Sequence, residues 1–351
     1  MSPIATPTQV LVTGGSGYIA SWIIKYLLDE GHTVRATVRN LNDKHKYAHL
    51  EQLAASAPGT LEMWEADLLQ PGSFDEDIHG CEVVFHVASP FIPFGTKDPM
   101  NQLIRPAVDG TRNVLEAVSR AGTVKRVVLT SSIVAMYGDA KDLASYPNQQ
   151  VQPDSWNQTS NEKHQPYPYS KRLAEEEAWK VAKDQDWDLV VMNPGFVLGP
   201  SLTPRKDSSS IQIMLQLIDG TMKRGAPEIY LGTADVRDVA RAHIKAAFTL
   251  AAKDRYIITH ETANFFELGK LLQKHFPQLP LPTGNLPRWV ALMLGPLMGM
   301  TYKYLNRNIG YPLAFNNEAS KQDLGLEYTP LETTVVDMVQ QLAKDGIIEL
   351  K

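Results

Sequence analysis

The sequence predicts an α/β fold: a doubly wound parallel sheet joined to a second, smaller lobe. Three observations carry this expectation. Short β-branched runs alternate with amphipathic helical stretches through about the first half of the chain, the rhythm of strand–helix–strand units. A glycine-rich turn lies between the first run and the first helix. After residue 194 the alternation is broken at Pro194-Gly195, Gly199-Pro200 and Gly225-Ala-Pro227, and strands become few. The chain has 351 residues, more than the roughly 50–250 of a single domain. The first domain is expected over 1–193 and the lobe mainly over 194–351, with a segment near 228–250 returned to the first.

The elements follow in order. Val10–Thr13, Thr33–Val38, Val83–Val87, Val127–Thr130 and Leu189–Met192 are short, apolar and β-branched, as strands covered on both faces should be. Leu61–Glu65 reads as a weaker strand. Ile19, Ile23, Ile24, Leu27 and Leu28 share one helical face; Leu103, Val108, Val114, Leu115 and Val118 make a looser set. Ser73 with Glu76 has the spacing of a capping box. The stretch 138–166 is rich in Asp, Asn, Gln and Pro, and a loop of that length inside a compact domain is commonly functional. Helices are expected near 208–220, 236–250 and 264–274.

Composition narrows the classes. Apolar residues at 43% and charged residues at 21% exclude wholesale disorder. A net charge of −5 gives no footprint for nucleic acid or an anionic membrane. The single cysteine, Cys81, can form neither an internal disulfide nor a multi-thiolate metal site, and no metal is expected. Met1–Gln9 has no basic start and no apolar run, so no signal peptide is read. The longest apolar run, Trp289–Met300, is interrupted by Pro296 and falls short of the roughly 20 residues of a membrane span. Its methionines are expected to pack in the core. A soluble cytoplasmic protein, monomer or homodimer, is expected.

The glycine turn reads Thr13-Gly-Gly-Ser-Gly-Tyr-Ile-Ala20. Gly14 permits the tight turn, Gly17 lets the backbone approach a pyrophosphate, and Ala20 keeps the helix close to the sheet. Tyr18 and Ile19 open the helix, whose free N–H groups favour negative charge. The strand after it ends Thr37-Val-Arg39-Asn40 with no acid before Asp43, whereas Arg35, Arg39, Lys44 and Lys46 cluster. An acid there would bind the ribose 2′-hydroxyl of NAD. A guanidinium suits a 2′-phosphate, so NADP(H) is expected with Arg39 at its centre.

Ser131-Ser132 follow the strand Val127–Thr130, at the edge that faces the ligand crevice in such sheets. Tyr167 and Lys171 stand four apart on one helical face. A neighbouring ammonium favours the phenolate, making the tyrosine a usable acid or base. Tyr169 lacks a lysine four residues on. Ser131 alternates to the other face of its strand and is expected to matter less than Ser132. Glu175-Glu-Glu177 reads as a solvated helix face, and His86 as a core histidine.

In family order, the chain carries Val12–Ile19, Thr33–Arg39, Ala66-Asp-Leu68, Gly72–Asp75, Phe85–Pro90, Pro106–Thr111, Leu129–Ser132, Tyr167-xxx-Lys171 and Asn193–Pro200. With these it resembles an extended short-chain dehydrogenase/reductase, a Rossmann-type fold with a substrate-binding lobe. Within that family it is most similar to the dihydroflavonol 4-reductase, cinnamoyl-CoA reductase and yeast methylglyoxal (carbonyl) reductase group. The resemblance implies that Tyr167 donates a proton to a carbonyl, Lys171 lowers its pKa and holds the nicotinamide ribose, and Ser132 orients the carbonyl. It implies Asp67 and Leu68 beside the adenine, and Val87, Ala88 and Ser89 along the pyrophosphate–ribose path. It also implies Pro194 and Val197 at the carboxamide, Arg39 on the 2′-phosphate, and Lys46 as a second phosphate contact.

On the substrate side, Phe91 and Tyr137 are the candidates. Tyr137 stands where dihydroflavonol reductases carry asparagine, and the basic CoA contacts of cinnamoyl-CoA reductases have no evident counterpart. A hydrophobic aldehyde or ketone of small or medium size is expected. A nucleotide-sugar epimerase or dehydratase is the nearest alternative. It is opposed by Arg39, by Ala107-Val-Asp-Gly-Thr111 in place of Asn-Val-x-Gly-Thr, and by the lack of an acid in Ile133–Met136. A 3β-hydroxysteroid-type dehydrogenase and a non-catalytic NADP-sensing protein complete the alternatives; the sensor has no need of the Ser–Tyr–Lys set.

Overall fold

The computed structural model describes residues 4–90, 97–204, 206 and 208–350. The apolar runs become strands β1 (Gln9–Val12), β2 (Thr33–Val38), β3 (Thr60–Glu65), β4 (Val83–His86), β5 (Arg126–Thr130) and β6 (Asp188–Pro194). They alternate cleanly between two cores. Val10, Val12, Val34, Ala36, Val83, Phe85, Val128, Val190 and Met192 fill one face of the sheet. Leu11, Val84, Val127, Leu129, Leu189 and Val191 fill the other. Burial on both faces is what a parallel sheet requires.

After β6 come β7 (Phe196–Leu198), β8 (Tyr230–Asp235), β9 (Asp254–Ile258) and β10 (Thr262–Asn264). The large sheet has the order β3-β2-β1-β4-β5-β6-β9, and every pairing in it is parallel. Strand order reverses between β1 and β4, the switch point where such sheets open a crevice. The helix Tyr18–Asp29 buries Ile23, Ile24, Leu27 and Leu28 on the first core, beside the alanine-rich helix Val236–Phe248. Helices Arg105–Ala121 and Pro166–Ala182 cover the second. Thus the segment after residue 228 supplies to this layer both Val236–Phe248 and β9.

The small sheet, β10-β8-β7, packs with helices Ser209–Ile218, Phe265–Gln273 and Leu331–Lys344 around Met214, Leu217, Phe265, Leu268, Val335 and Met338. The chain passes from one sheet to the other at Gly195, where a Cβ would lie 2.2 Å from the Gly232 carbonyl oxygen. Only glycine admits that approach.

Two local expectations are corrected. Ser73 caps no helix: the helix Asp75–Ile78 starts after Phe74 with no side-chain cap, and the Ser73 hydroxyl accepts from the Asp67 N–H at 2.7 Å. The Asp67–Leu68 turn competes for the hydroxyl and wins. The methionine-rich stretch is partly surface, with Trp289, Met293 and Leu294 exposed and Ala291 buried. Its helix, Arg288–Leu294, is too short to bury more than one side.

Arg126, 1% exposed, ties the start of β5 to the returned segment. It donates to the carbonyls of Ala246, Thr249 and Ala252 at 2.8, 2.6 and 3.2 Å and pairs with Asp188 at 2.8 Å. Arg126→Met should orphan those carbonyls and lower unfolding stability by about 3–5 kcal/mol. Urea denaturation would read this as a lower midpoint at unchanged slope; a loss below about 1 kcal/mol would mean water replaces the guanidinium.

Candidate active site

At the switch point, Gly14 has φ +68 and a Cβ there would lie 3.0 Å from the Ala88 Cβ; one on Gly17 would meet the Gly14 carbonyl oxygen at 3.0 Å. Ala20 is fully buried under the turn. Gly17 occupies the cap position of Tyr18–Asp29 and no side chain caps that helix, leaving its first turn able to receive an anion. The Tyr18 hydroxyl is spent elsewhere, donating to the Gly199 carbonyl at 2.5 Å, which ties the turn to the Asn193–Pro200 segment.

Thr13 fixes the neighbouring strand end. Its Oγ1 accepts from the Val87 and Ala88 N–H groups, both at 3.0 Å, so its one proton goes to His86 Nδ1, also at 3.0 Å. His86 is therefore the Nε2–H tautomer. Burial, then the nearby Lys171 charge, lower its pKa to about 3, so it stays neutral. Ser89 follows; Phe91 lies outside the described residues.

Ser132 lies two residues after β5 and heads a short 3-10 turn, Ile133–Ala135. Its hydroxyl makes only long contacts, to the Val134 N–H at 3.4 Å and the Pro194 carbonyl at 3.5 Å. Tyr167 and Lys171 open the helix Pro166–Ala182, which starts at Gln165 in the left-handed region. Lys171 Nζ lies 5.9 Å from the Tyr167 ring centre. Lys171 is 8% exposed, and burial, offset in part by Glu175, lowers its pKa to about 8. Burial pushes the Tyr167 hydroxyl above its ordinary value. The expected downward shift of Tyr167 is thus absent from the protein alone: desolvation outweighs an ammonium that is itself half-depleted of charge near pH 8.

Lys171 shares a small cavity, of about 10 Å³, with His86, Ala88, Ser89, Thr111, Ser131 and Glu175. Glu175 was expected in solvent and is instead 1% exposed. The Ser131 hydroxyl donates to it at 2.5 Å and the Asn193 amide at 2.9 Å. Arg255 Nε stands 2.6 Å away, although its N–H is not aimed at the carboxylate. Ser131 does face away from Ser132, but toward this carboxylate. The missed signal was spacing: Glu175 is one turn beyond Lys171, on the same face, whereas Glu176 is half-exposed and Glu177 turns to Arg112 at 2.6 Å.

The long loop is held by a second buried carboxylate. Asp139 pairs with His164 at 2.9 Å and Arg307 at 2.5 Å, and accepts from Gln165 at 2.6 Å and Asn308 at 2.8 Å. Burial pushes its pKa up, but the His164, Arg307 and Asn308 hydrogen bonds outweigh it and hold it below the usual range. It therefore joins the segment leading to Tyr167 with the lobe helix Tyr302–Asn308. Tyr137, 9% exposed, stacks edge-on against Phe315 at 5.7 Å, where the loop meets the lobe.

The basic cluster separates. Arg39 is exposed beyond β2 and makes no ion pair among the described residues. Arg35 is consumed by Glu62 at 3.0 Å and by the Asp77 and His79 carbonyls at 3.1 and 2.8 Å, so it does not join Arg39. Lys46 is exposed but paired with Asp43 at 2.5 Å; Lys44 is exposed. Asp67 is exposed, its carboxylate accepting from the Leu69 N–H at 2.9 Å. Leu68 presses on the helix Arg105–Ala121 at Gly110, where a Cβ would be 3.1 Å away. Pro194 ends β6, and Val197 lies in β7, the edge of the small sheet. Among the described residues, no helix is long and apolar enough to cross a membrane, and no group of three His, Cys, Asp or Glu could hold a metal ion.

The family model of the NAD dependent epimerase/dehydratase family matches residues 10–258. A cinnamoyl-CoA reductase of Medicago truncatula is 38% identical over 344 residues, 97% of each chain. A tetraketide alpha-pyrone reductase of Arabidopsis thaliana is 35% identical over 344 residues, again 97% of each. Among solved structures, yeast methylglyoxal/isovaleraldehyde reductase complexed with NADPH superposes with a TM-score of 0.78 at 26% identity, covering 97% of this chain and 100% of that one. The chain belongs to the NAD dependent epimerase/dehydratase family, the extended short-chain dehydrogenases/reductases.

Asp139→Asn should destabilise the protein by about 3–5 kcal/mol near neutral pH, leaving Arg307 with Asp142 as its remaining counter-charge. The folded-state pKa of Asp139 is depressed, so its contribution is present above the unfolded value, about 3.9, and is lost as pH falls through the folded one. The gap between wild type and variant should therefore narrow below about pH 4, as read by denaturant midpoints across pH.

Proposed function

We propose that the chain is an NADPH-dependent carbonyl reductase that converts an aldehyde or ketone reversibly to the alcohol, with Tyr167 as proton donor. The observation that carries this reading is the cavity that Lys171 shares with Ala88, Ser89 and Ser131, where Ala88 also packs on the glycine turn at Gly14. Oxidoreductase chemistry with a nicotinamide cofactor also matches the relatives. Their names span a cinnamoyl-CoA, a tetraketide alpha-pyrone and methylglyoxal with isovaleraldehyde, and reduction is common to them.

The residues present fit the cofactor. Gly14 and Gly17 leave a cradle that a Cβ would fill, against an uncapped helix start. Arg39 offers a free guanidinium at the end of β2 for the 2′-phosphate, with Lys46 able to exchange Asp43 for it. Asp67 and Leu68 would border the adenine, Val87, Ala88 and Ser89 the pyrophosphate–ribose path, and Pro194 and Val197 the carboxamide. When bound, the nicotinamide supplies the hydride.

Ser132, with only long contacts of its own, is available to hold the substrate oxygen. Tyr167 is protonated at neutral pH, as an ordinary tyrosine is, and burial raises its pKa further, so it holds the proton a donor needs. As its proton leaves, the Lys171 ammonium stabilises the phenolate. Ile133–Met136 contain no acid, which favours reduction over dehydration. Tyr137 and Phe315, where the loop meets the lobe, fit a hydrophobic substrate of small or medium size.

Turnover is tested with a panel of aldehydes, diketones, flavonoids and steroids, followed by loss of NADPH absorbance. Tyr167→Phe should lower kcat by roughly 10²–10⁴-fold with NADPH still bound; near-full turnover, or a larger loss in Tyr169→Phe, would remove Tyr167 as the acid. Wild-type kcat should fall as pH rises through about 8, where Lys171 loses its proton. Arg39→Ala should weaken NADPH roughly tenfold to 150-fold and spare NADH; equal losses would mean that Arg39 does not read the 2′-phosphate.

A further inference from the structure

We propose that Glu175 is a positioning residue of this site: its buried carboxylate is the counter-ion of the Lys171 ammonium and braces the ends of β5 and β6 and the start of β9 against the helix that carries Tyr167 and Lys171. The inference rests on the reading of Lys171 given above and adds a group that neither the motifs nor the relatives' names assign.

The geometry comes first. A carboxylate with no solvent access must have partners or lose its charge. Glu175 has partners from three strands: Ser131 at 2.5 Å after β5, Asn193 at 2.9 Å near the end of β6 and Arg255 at 2.6 Å near the start of β9. The Asn193 amide also donates to the Ser132 carbonyl at 3.1 Å, so the carboxylate and the backbone of the carbonyl-orienting serine share one brace. Glu175 and Lys171 line the same cavity, which at about 10 Å³ has room for at most a single water.

Arg255 shares this carboxylate with Lys171: its guanidinium pairs with Glu175 at 2.6 Å while its Nη1 holds a loop. It donates to the Pro153 and Ser155 carbonyls at 3.0 and 2.6 Å and lies over the Trp156 ring at 4.1 Å. Its Nε–H is not directed at Glu175. The other groups facing Lys171 cannot substitute. Tyr167 on its own helix is protonated, and His86 from β4 is neutral. The helix Arg105–Ala121 brings Thr111, which does not titrate, and Arg112, which is paired to Glu177 at 2.6 Å. From β6 comes Asn193 alone. One carboxylate therefore holds the charge of the lysine on which the proton transfer leans.

A purely structural role would cost stability without moving a titration, and the test separates the two. Protein carrying ¹⁵N-lysine, without cofactor, is titrated by NMR, with the Lys171 signal assigned by its absence in Lys171→Met. In Glu175→Gln, which keeps the shape and an acceptor, the Lys171 midpoint should fall by at least about one pH unit. In the NADPH-loaded enzyme the alkaline limb of kcat should move down equally, making the loss at pH 9 about tenfold larger than at pH 6. Glu175→Asp, which restores the charge one methylene farther away, should recover part of the shift. An unmoved Lys171 midpoint, or a loss of kcat uniform across pH, overturns the proposal. If Glu175→Gln does not fold, Glu175→Asp is read the same way: a smaller downward shift supports it and none overturns it. Failure of the reductase reading looks different: no carbonyl is turned over, or Lys171→Met stays active, while the Lys171–Glu175 coupling is still seen by NMR.

Discussion

A lysine ammonium taken out of water is the constraint around which this molecule is arranged. Lys171 sits on the helix Pro166–Ala182 with its side chain inside the protein. An uncompensated charge there would cost several kcal/mol. The answer is a carboxylate one turn along the same helix, and that carboxylate in turn needs donors of its own. They come from Ser131 and Asn193, at the ends of β5 and β6, and from Arg255, near the start of β9. The parallel pairing brings the first two to the same edge, and the long Arg255 side chain reaches the carboxylate from farther back along the sheet.

The same economy of buried charge joins the two parts of the chain. Asp139 gathers His164, Gln165, Arg307 and Asn308, so the turn after Ser132, the approach to Tyr167 and a lobe helix meet at one carboxylate. The Tyr18–Gly199 and Trp22–Pro200 hydrogen bonds, at 2.5 and 2.9 Å, tether the helix behind the glycine turn to the strand that leaves for the lobe. Gly195 then lets β6 run straight into β7. The site is thus held between elements distant in sequence, each fixed to the others by buried or half-buried polar groups.

Charged residues on one strand met opposite fates. Arg35 and Arg39 both belong to the end of β2 in the sequence. Arg35 points back along the sheet, where Glu62, Trp64 and the carbonyls around Asp77 absorb its guanidinium. Arg39, past the last paired residue of the strand, has nothing comparable within reach and stays in solvent. A free cation at the crevice edge is informative only because its neighbour is occupied.

The sequence by itself determined the layered sheet, since a period of two within β-branched runs separated by helical faces has few other outcomes, and it determined the glycine turn, since the left-handed φ of Gly14 together with its close approach to Ala88 strongly favours glycine. The Tyr167–Lys171 pair was legible from spacing along one helix. What the tertiary structure decided was which polar groups are buried. Glu175, Glu176 and Glu177 are identical in chemistry and adjacent in the chain, and only the packing of the helix on β5 and β6 makes the first a buried anion and leaves the others near solvent. Asp139 and Arg307 are 168 residues apart, so their pairing has no local pattern. The pKa values of Tyr167 and Lys171 were set the same way, because desolvation is a property of everything that surrounds a side chain and not of its neighbours in sequence.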